Sequence, residues 1–249
     1  MLEVKISELI MENFYRKLRS NLSVDIAIVG AGPSGLLLSY LLARQGKKVV
    51  VFEAKNAPGG GIWGGGMLFN EIVVQKDLTH VLDELEIDYK IYNELVTIDS
   101  VHFASALIYK ATKNGVVIFN NIYVEDIVLI NKRVKGVVIN WSPVIKNQMH
   151  VDPITVYADF VTDSTGHPAF VVDLLAKRGI IQRNVEFPMD AEIAEDFVAK
   201  ATGEVFDGLV VTGMAATAVK GGPRMGPIFG GMLKSAIRAS EYILEKLGD

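Results

Sequence analysis

The 249-residue sequence contains no cysteine. This absence excludes disulfides, zinc fingers, cysteine-ligated iron–sulfur clusters and thiol nucleophiles, so any bound metal must be held mainly by His, Asp or Glu. Runs of basic residues are also missing, because 25 Lys and Arg residues are spread along the chain against 29 Asp and Glu. The resulting net charge of −4 argues against a nucleic-acid surface.

Long hydrophobic runs are absent as well. The longest apolar stretches, such as residues 35–43, are far too short to cross a bilayer, and the first residues carry acids where a signal peptide carries basic ones. A large core is still available, since 50% of the residues are hydrophobic. We therefore expect a soluble, cytoplasmic protein without a membrane partner, folded as one α/β domain over residues 1–249.

The order of the predicted elements indicates the fold. An amphipathic helix over 6–20, with Ser7 as its N-cap, precedes a strand (24–30), a helix (33–45) and a second strand (48–54). The last three form a β-α-β unit of a parallel sheet, and its first strand has the apolar pattern of a strand buried on both faces. Residues 116–130 and 134–140 read as strands around a turn, which predicts a small β insertion over about 116–141. The other predicted segments are helices over 77–85, 99–113, 169–178 and 228–247, strands over 154–166 and 208–214, a glycine-rich loop over 56–67 and an irregular stretch over 141–149.

Three glycines between the first strand and its helix form the motif G-x-G-x-x-G: Gly30, Gly32 and Gly35. The first permits a tight turn, the second lets the backbone approach a pyrophosphate, and the third lets helix and strand pack closely. The helix N-terminus offers unpaired N–H groups to phosphates, and Ser34 adds a hydroxyl. Glu53 ends the second strand, where its carboxylate accepts hydrogen bonds from ribose hydroxyls. The pattern predicts a site for NAD or FAD rather than NADP.

A second group of candidate residues is polar. His150 and Asp152 lie in the extended segment HVDP, in which alternate side chains point to the same side. His167 follows the next strand, and two imidazoles with one carboxylate are the ligand set of an open non-haem Fe(II) site, although scattered His and Asp residues occur in many proteins. Arg224 lies in the loop GGPRMGP, where its guanidinium can clamp a carboxylate or phosphate, or satisfy loop carbonyls instead.

These patterns alone leave several functions open. Residues 163–167 and the strand over 208–214 resemble the second and third nucleotide-contacting stretches of two-domain flavoproteins. An FAD-dependent oxidoreductase is therefore one alternative, and a non-catalytic dinucleotide-binding module is another. A ribose-phosphate isomerase is a third, although the metal and carboxylate sites would then lack a purpose.

Five segments together resemble one family, the thiazole synthases of thiamine biosynthesis in their archaeal, sulfide-using form. They are GAGPSG with FEA, PGGGIWGGGM, HVDPITVYADFVTDSTGH and GMAATAVKGGPRMGPIFGGM. The resemblance implies a Rossmann-like fold of the two-dinucleotide-binding-domain flavoprotein type. In the fungal and plant enzymes, the position matched by His150 is a cysteine that donates its sulfur once. This cysteine-free chain is similar to the homologues that use free sulfide and Fe(II) for repeated turnover.

The resemblance also implies a reaction and its residues. NAD as substrate loses nicotinamide, and its ADP-ribose condenses with glycine and sulfide to an ADP-thiazole carboxylate. Asp152 and His167 match the metal ligands, and His150 lies beside them near the reacting ribose, so we expect these three to be catalytic. Arg224 matches the clamp for the glycine carboxylate. The positions that match dinucleotide contacts are Ser34, Glu53, Ala54, Gly61, Val124, His150 and Met214. The family's ring-shaped octamers further imply a homo-octamer in which His150 and Asp152 of one chain meet His167 of a neighbour.

Overall fold

The computed structural model describes residues 1–248. Within them the helices are α1 Leu2–Ser20, α2 Pro33–Arg44, α3 Thr79–Glu84, α4 Ser100–Lys113, α5 Ser142–Lys146, α6 Phe170–Lys177, α7 Ala191–Ala201, α8 Met214–Lys220 and α9 Gly230–Leu247. The strands are β1 Ser23–Val29, β2 Val49–Glu53, β3 Glu71–Gln75, β4 Lys90–Tyr92, β5 Leu95–Asp99, β6 Val117–Asn120, β7 Ile122–Ile130, β8 Arg133–Trp141, β9 Ile154–Asp163, β10 Gly203–Phe206 and β11 Leu209–Val211.

The main sheet has a parallel centre. Its strand order is β10-β11-β9-β1-β2-β6, in which every neighbouring pair is parallel except β10 with β11. The predicted strands over 24–30 and 48–54 are β1 and β2, joined through α2. This arrangement confirms the predicted Rossmann-like α/β class.

The central strands are buried on both faces, as predicted for residues 24–30. In β1, Ile26 and Ile28 point into a core formed with α2, α4 and α9. Ala27 and Val29 point to the opposite face, into a core shared with α6, α8 and the β7–β8 hairpin. Side chains alternate along a strand, so a run without polar residues requires cover on both sides. The two cores position the carboxyl ends of the parallel strands between two helical layers.

The prediction of one strand over 116–130 was wrong. Its first part is β6, which pairs in parallel with β2 and belongs to the main sheet rather than to an insertion. The chain then turns at Asn121, whose φ is +57°, a conformation that asparagine tolerates better than most residues. Strands β7 and β8 form an antiparallel hairpin that joins the first half of β9. The pair Asn120-Asn121 between the two apolar runs is the turn signal that the apolar pattern on both sides outweighed.

Helix α1 begins earlier than predicted. It starts at Leu2, so Ser7 lies inside the helix and donates a hydrogen bond to the carbonyl of Glu3 instead of capping the N-terminus. Phe14 and Leu18 pack, half-buried, against the second core. No α1 residue is fully buried in the chain.

The sequence patterns did not predict several short elements. Strands β3, β5 and β4 form a small antiparallel sheet, and α5 occupies part of the stretch predicted to be irregular. The loop over 56–67 includes one 3-10 turn, Ile62–Gly64. Among residues 1–248, no helix combines the length and apolarity that a bilayer crossing requires.

Candidate functional site

A cavity of about 1000 Å³ lies at the carboxyl ends of β1, β2, β9 and β11. This edge of a parallel sheet is where α/β folds bind their ligands, and the volume is at the upper end of the usual range for ligand pockets. The predicted site residues that line it are Gly30, Gly32, Ser34, Glu53, Ala54, Gly61, Val124, His167, Met214 and Arg224. The structure therefore joins the predicted nucleotide residues to His167 and Arg224 in one cavity.

The three glycines of the motif occupy different surroundings. A Cβ on Gly30 would lie 2.6 Å from the carbonyl oxygen of Ser164, and one on Gly35 would lie 2.2 Å from the carbonyl oxygen of Gly30. Gly32 instead lines the cavity, and a Cβ there would have no heavy atom within 4 Å. The first and third glycines are thus required for close packing, while the second leaves the backbone open to a ligand.

The glycine-rich loop lies against this turn. The N–H of Gly59 donates to the carbonyl of Ala31 at 2.7 Å. Gly60 has a φ of +57°, and a Cβ there would lie 3.0 Å from Cα of Gly32. Because Gly60 and Gly61 both line the cavity, the loop forms one wall of it.

The buried carboxylate of Glu53 holds the turn in place. One oxygen accepts from the N–H of Ala31 at 2.9 Å, and the other accepts from the N–H of Lys55 at 2.8 Å. Each carboxylate oxygen has a further lone pair, so Glu53 can also accept hydrogen bonds from ribose hydroxyls. The sequence pattern indicates only the binding of ribose hydroxyls and not the structural role of Glu53 in the turn.

We expect Glu53→Gln to weaken NAD binding and to destabilise the fold. Glutamine has only one acceptor oxygen, so its NH2 group would face the N–H of Ala31 or Lys55. An unpaired buried N–H costs about 1–3 kcal/mol. Urea unfolding and calorimetric titration with NAD measure the two effects, with Glu94→Gln on the surface as control. If Glu53→Gln has the wild-type stability to urea and the wild-type NAD affinity, Glu53 does not belong to the site.

A chain of buried hydroxyls leads from the cavity into the core. Ser34 lies 2.5 Å from Thr212, Thr212 lies 2.8 Å from Ser235, and Ser235 lies 2.5 Å from Thr202. Thr202 donates its single proton to the carbonyl of Val198, so each preceding hydroxyl must donate toward Thr202. Ser34 therefore presents lone pairs to the cavity. Ser34 can donate a hydrogen bond to a phosphate only if its own hydrogen bond to Thr212 breaks.

Asp163 organises the segment that carries His167. It is fully buried at the end of β9 and accepts from the backbone N–H and the hydroxyl of Thr165, at 3.0 and 2.7 Å, and from the N–H of Val172 at 3.0 Å. Burial raises the pKa of Asp163, and these donors oppose the rise. Beside it, the buried hydroxyl of Ser164 has no hydrogen-bond partner within residues 1–248, although Ser164 lines the cavity. The sequence patterns marked residues 163–167 only as a segment and assigned no role to either residue.

His150 and Asp152 lie away from this cavity. Both are exposed, and the segment between them forms no regular strand, since β9 begins only at Ile154. Asp152 instead borders a groove of about 30 Å³ beside Phe14 of α1. Within one chain, Asp152 and His167 therefore border different cavities. Within residues 1–248, no group of three His, Asp or Glu side chains is arranged to hold a metal ion.

The fold is also found in a hydroxylase of low sequence identity. The OxyS anhydrotetracycline hydroxylase from Streptomyces rimosus matches with a TM-score of 0.51 and 18% identity, over 67% of this chain and 36% of that one. At this identity, the likeness concerns the fold alone.

Other proteins match over almost the entire chain. The thiamine thiazole synthase of Thermotoga maritima is 58% identical over 247 residues, covering 99% of both proteins. The thiamine thiazole synthase of Pyrococcus abyssi is 52% identical over 247 residues, covering 98% of both. The crystal structure of Thermovibrio ammonificans THI4 matches with a TM-score of 0.96 and 44% identity, over 99% of this chain and 98% of that one. The model of the Thi4 family matches residues 7–229, and the chain therefore belongs to the Thi4 family.

Proposed function

We propose that the chain is a sulfide-dependent ADP-thiazole synthase, which converts NAD, glycine and sulfide to an ADP-thiazole carboxylate and nicotinamide. Its family and the names of its relatives support an enzyme of thiamine thiazole synthesis. The observation that carries the finer proposal is the single cavity that joins the glycine turn to His167 and Arg224.

The glycine turn and the end of β2 form the nucleotide end of the cavity. The N-terminus of α2 directs unpaired N–H groups toward the pyrophosphate, and Gly32 allows its close approach. The carboxylate of Glu53 accepts from the ribose hydroxyls of adenosine. Ala54, Val124 and Met214 supply further contacts at the cavity wall. In this arrangement the chain holds the ADP part of NAD while the nicotinamide ribose extends toward His167.

Arg224 forms the glycine site of the same cavity. Its backbone carbonyl accepts from the N–H of Asp190 at 3.1 Å, which anchors the loop, and its exposed side chain lines the cavity. A guanidinium binds a carboxylate through two parallel hydrogen bonds. Arg224 thereby orients the amino group of glycine toward the opened ribose.

The donors expected for the metal fit Fe(II) by their chemistry. His167 offers an imidazole nitrogen to the cavity, and Asp152 offers a carboxylate, a donor pair that suits this metal. Bound Fe(II) would supply Lewis-acid chemistry, polarising the ketone or imine and binding sulfide as a nucleophile. His150, two residues before Asp152, would lie beside the same centre near the reacting ribose.

The source of sulfur follows from composition. Without cysteine the chain has no thiol to sacrifice, so the sulfur atom must come from outside the polypeptide. Sulfide meets this requirement and leaves the chain unchanged after each reaction. Repeated turnover is the consequence.

A second copy of the chain is needed to complete the site. Helix α1, whose Phe14 borders the same groove as Asp152, and the rim of the cavity near His167 both expose several apolar side chains, as the surfaces of protein interfaces do. On α1 these are Leu2, Val4, Ile6, Leu9, Ile10, Met11 and Tyr15, and on the rim they are Val185, Phe187 and Met189. Joining the two faces between copies would bring Asp152 of one chain to His167 of another. A closed ring, such as the octamer implied by the family resemblance, satisfies both faces of every chain.

Anaerobic turnover tests the proposed function. With NAD, glycine, sulfide and Fe(II), we expect more thiazole product than enzyme, because no residue is consumed. Mass spectrometry of the released small molecules and of the intact polypeptide measures product and protein together, and reactions that lack one component are the controls. One product per chain would overturn the sulfide-dependent reaction. A flavin spectrum without thiazole product would favour the FAD-dependent oxidoreductase instead.

A further inference from the structure

The imidazole of His167 has a carboxylate partner that the sequence patterns did not single out. Its Nδ1 lies 2.8 and 3.0 Å from the two carboxylate oxygens of Glu186, whose side chain is 17% exposed. An ionised carboxylate only accepts hydrogen bonds, so Nδ1 must carry the proton that is shared with it. In the neutral ring, Nε2 is then the nitrogen with a free lone pair.

The backbone of His167 is held by Arg183, which lies three residues before Glu186 in the chain. Arg183 donates to the carbonyl of Pro168 at 2.7 Å and to the carbonyl of His167 at 3.2 Å. The guanidinium also lies 3.3 Å from a carboxylate oxygen of Asp173 in α6. Ring and backbone of His167 are thus both oriented by residues 183–186.

Residues 183–190, which we term the connecting segment, also bind the loop that carries Arg224. The N–H of Phe187 donates to the carbonyl of Gly222 at 2.9 Å, and the N–H of Asp190 donates to the carbonyl of Arg224 at 3.1 Å. The connecting segment therefore bridges the His167 loop and the Arg224 loop. A residue on this bridge sets the direction of the imidazole relative to the guanidinium.

We propose that Glu186 is a positioning residue, which holds His167 as its Nδ1–H tautomer and leaves Nε2 directed for binding Fe(II). The proposal rests on the proposed function for the presence of the metal, whereas the tautomer is a property of the chain alone. Metal-binding histidines commonly donate their second N–H to a carboxylate, and loss of such a partner typically weakens metal binding by about 10–100-fold.

The tautomer can be measured in metal-free protein. Solid-state NMR of ¹⁵N-histidine-labelled chain distinguishes protonated from unprotonated ring nitrogens, and a His167→Asn variant assigns the signals of His167 among the four histidines. We expect protonated Nδ1 in wild type and a shift toward protonated Nε2 in Glu186→Ala. Glu192→Ala, which removes an exposed carboxylate from the next helix, should behave as wild type. Protonated Nε2 in wild type, or no change in Glu186→Ala, would overturn the proposal.

Anaerobic Fe(II) titration separates this proposal from the proposed function. Glu186→Ala should bind Fe(II) about 10–100-fold more weakly than wild type, with unchanged NAD affinity. Glu186→Gln should recover part of the loss, because its amide oxygen still accepts from Nδ1–H. Wild-type Fe(II) affinity in Glu186→Ala would overturn only the role of Glu186. Failure of wild type to bind Fe(II), with the tautomer as expected, would instead overturn the iron site of the proposed function.

Discussion

The variants Asp152→Ala and His167→Ala are each expected to lose Fe(II) and thiazole formation while they bind NAD with nearly wild-type affinity. Each substitution removes one donor of the proposed metal site. In the proposed site the glycine turn and Glu53, rather than Asp152 or His167, hold the nucleotide, so we expect its binding to depend little on either substituted residue. Iron analysis, calorimetric NAD titration and product assays measure the three properties. Full iron content in both variants would remove Asp152 and His167 from the ligand set.

Mixed oligomers of these two inactive variants should regain activity. Asp152 lies outside the cavity that His167 lines in the same chain, so the proposed site combines residues from two copies. With random mixing of equal amounts, about one quarter of the sites would pair an intact Asp152 with an intact His167. Mixing His167→Ala with the double variant Asp152→Ala/His167→Ala is the control, because no site then contains His167. Iron loss in the single variants without recovery on mixing would contradict a shared site.

Gly35→Ala is expected to destabilise the fold strongly. The new Cβ would lie 2.2 Å from the carbonyl oxygen of Gly30 and 3.1 Å from Cβ of Ser164. Neither neighbour can retreat easily, since the N–H of Gly30 donates to Phe52 and that of Ser164 donates to Val29, both at 2.8 Å. We expect a cost of about 3 kcal/mol or more in the free energy of unfolding.

Gly32→Ala is the matched control for this prediction. A Cβ at Gly32 would meet no heavy atom within 4 Å and would project where the backbone lines the cavity. This variant should unfold like wild type but bind NAD poorly. Urea unfolding of both variants measures the effect on packing, and NAD titration measures the effect on the approach of the ligand to the backbone. Equal unfolding midpoints for Gly35→Ala and wild type would contradict the packing role of Gly35.

Local patterns in the sequence predicted the part of the molecule that depends on short stretches of chain. The strands over 24–30 and 48–54 and the intervening helix agree with β1, β2 and α2 to within a residue or two at each end. Their signals lie within about 30 residues, in which apolar runs and glycine spacing directly reflect backbone conformation. The same patterns failed where a turn joined two apolar strands at Asn121 and where α1 extended beyond its predicted cap.

The contacts of the site residues with residues distant in the sequence could not be predicted, because they depend on the tertiary structure. Ser34 meets Thr212 across 178 positions, and His167 meets Glu186 across 19 positions in a segment without a periodic pattern. Spacing in the sequence contains no signal for such contacts, because each depends on how whole strands and helices pack. The sequence by itself determined the glycine turn, the parallel sheet and the absence of a sulfur-donating residue. The tertiary structure alone decided that His167 and Arg224 share one cavity with the glycine turn and that Asp152 lies outside it, since packing of distant segments sets which loops meet at one sheet edge.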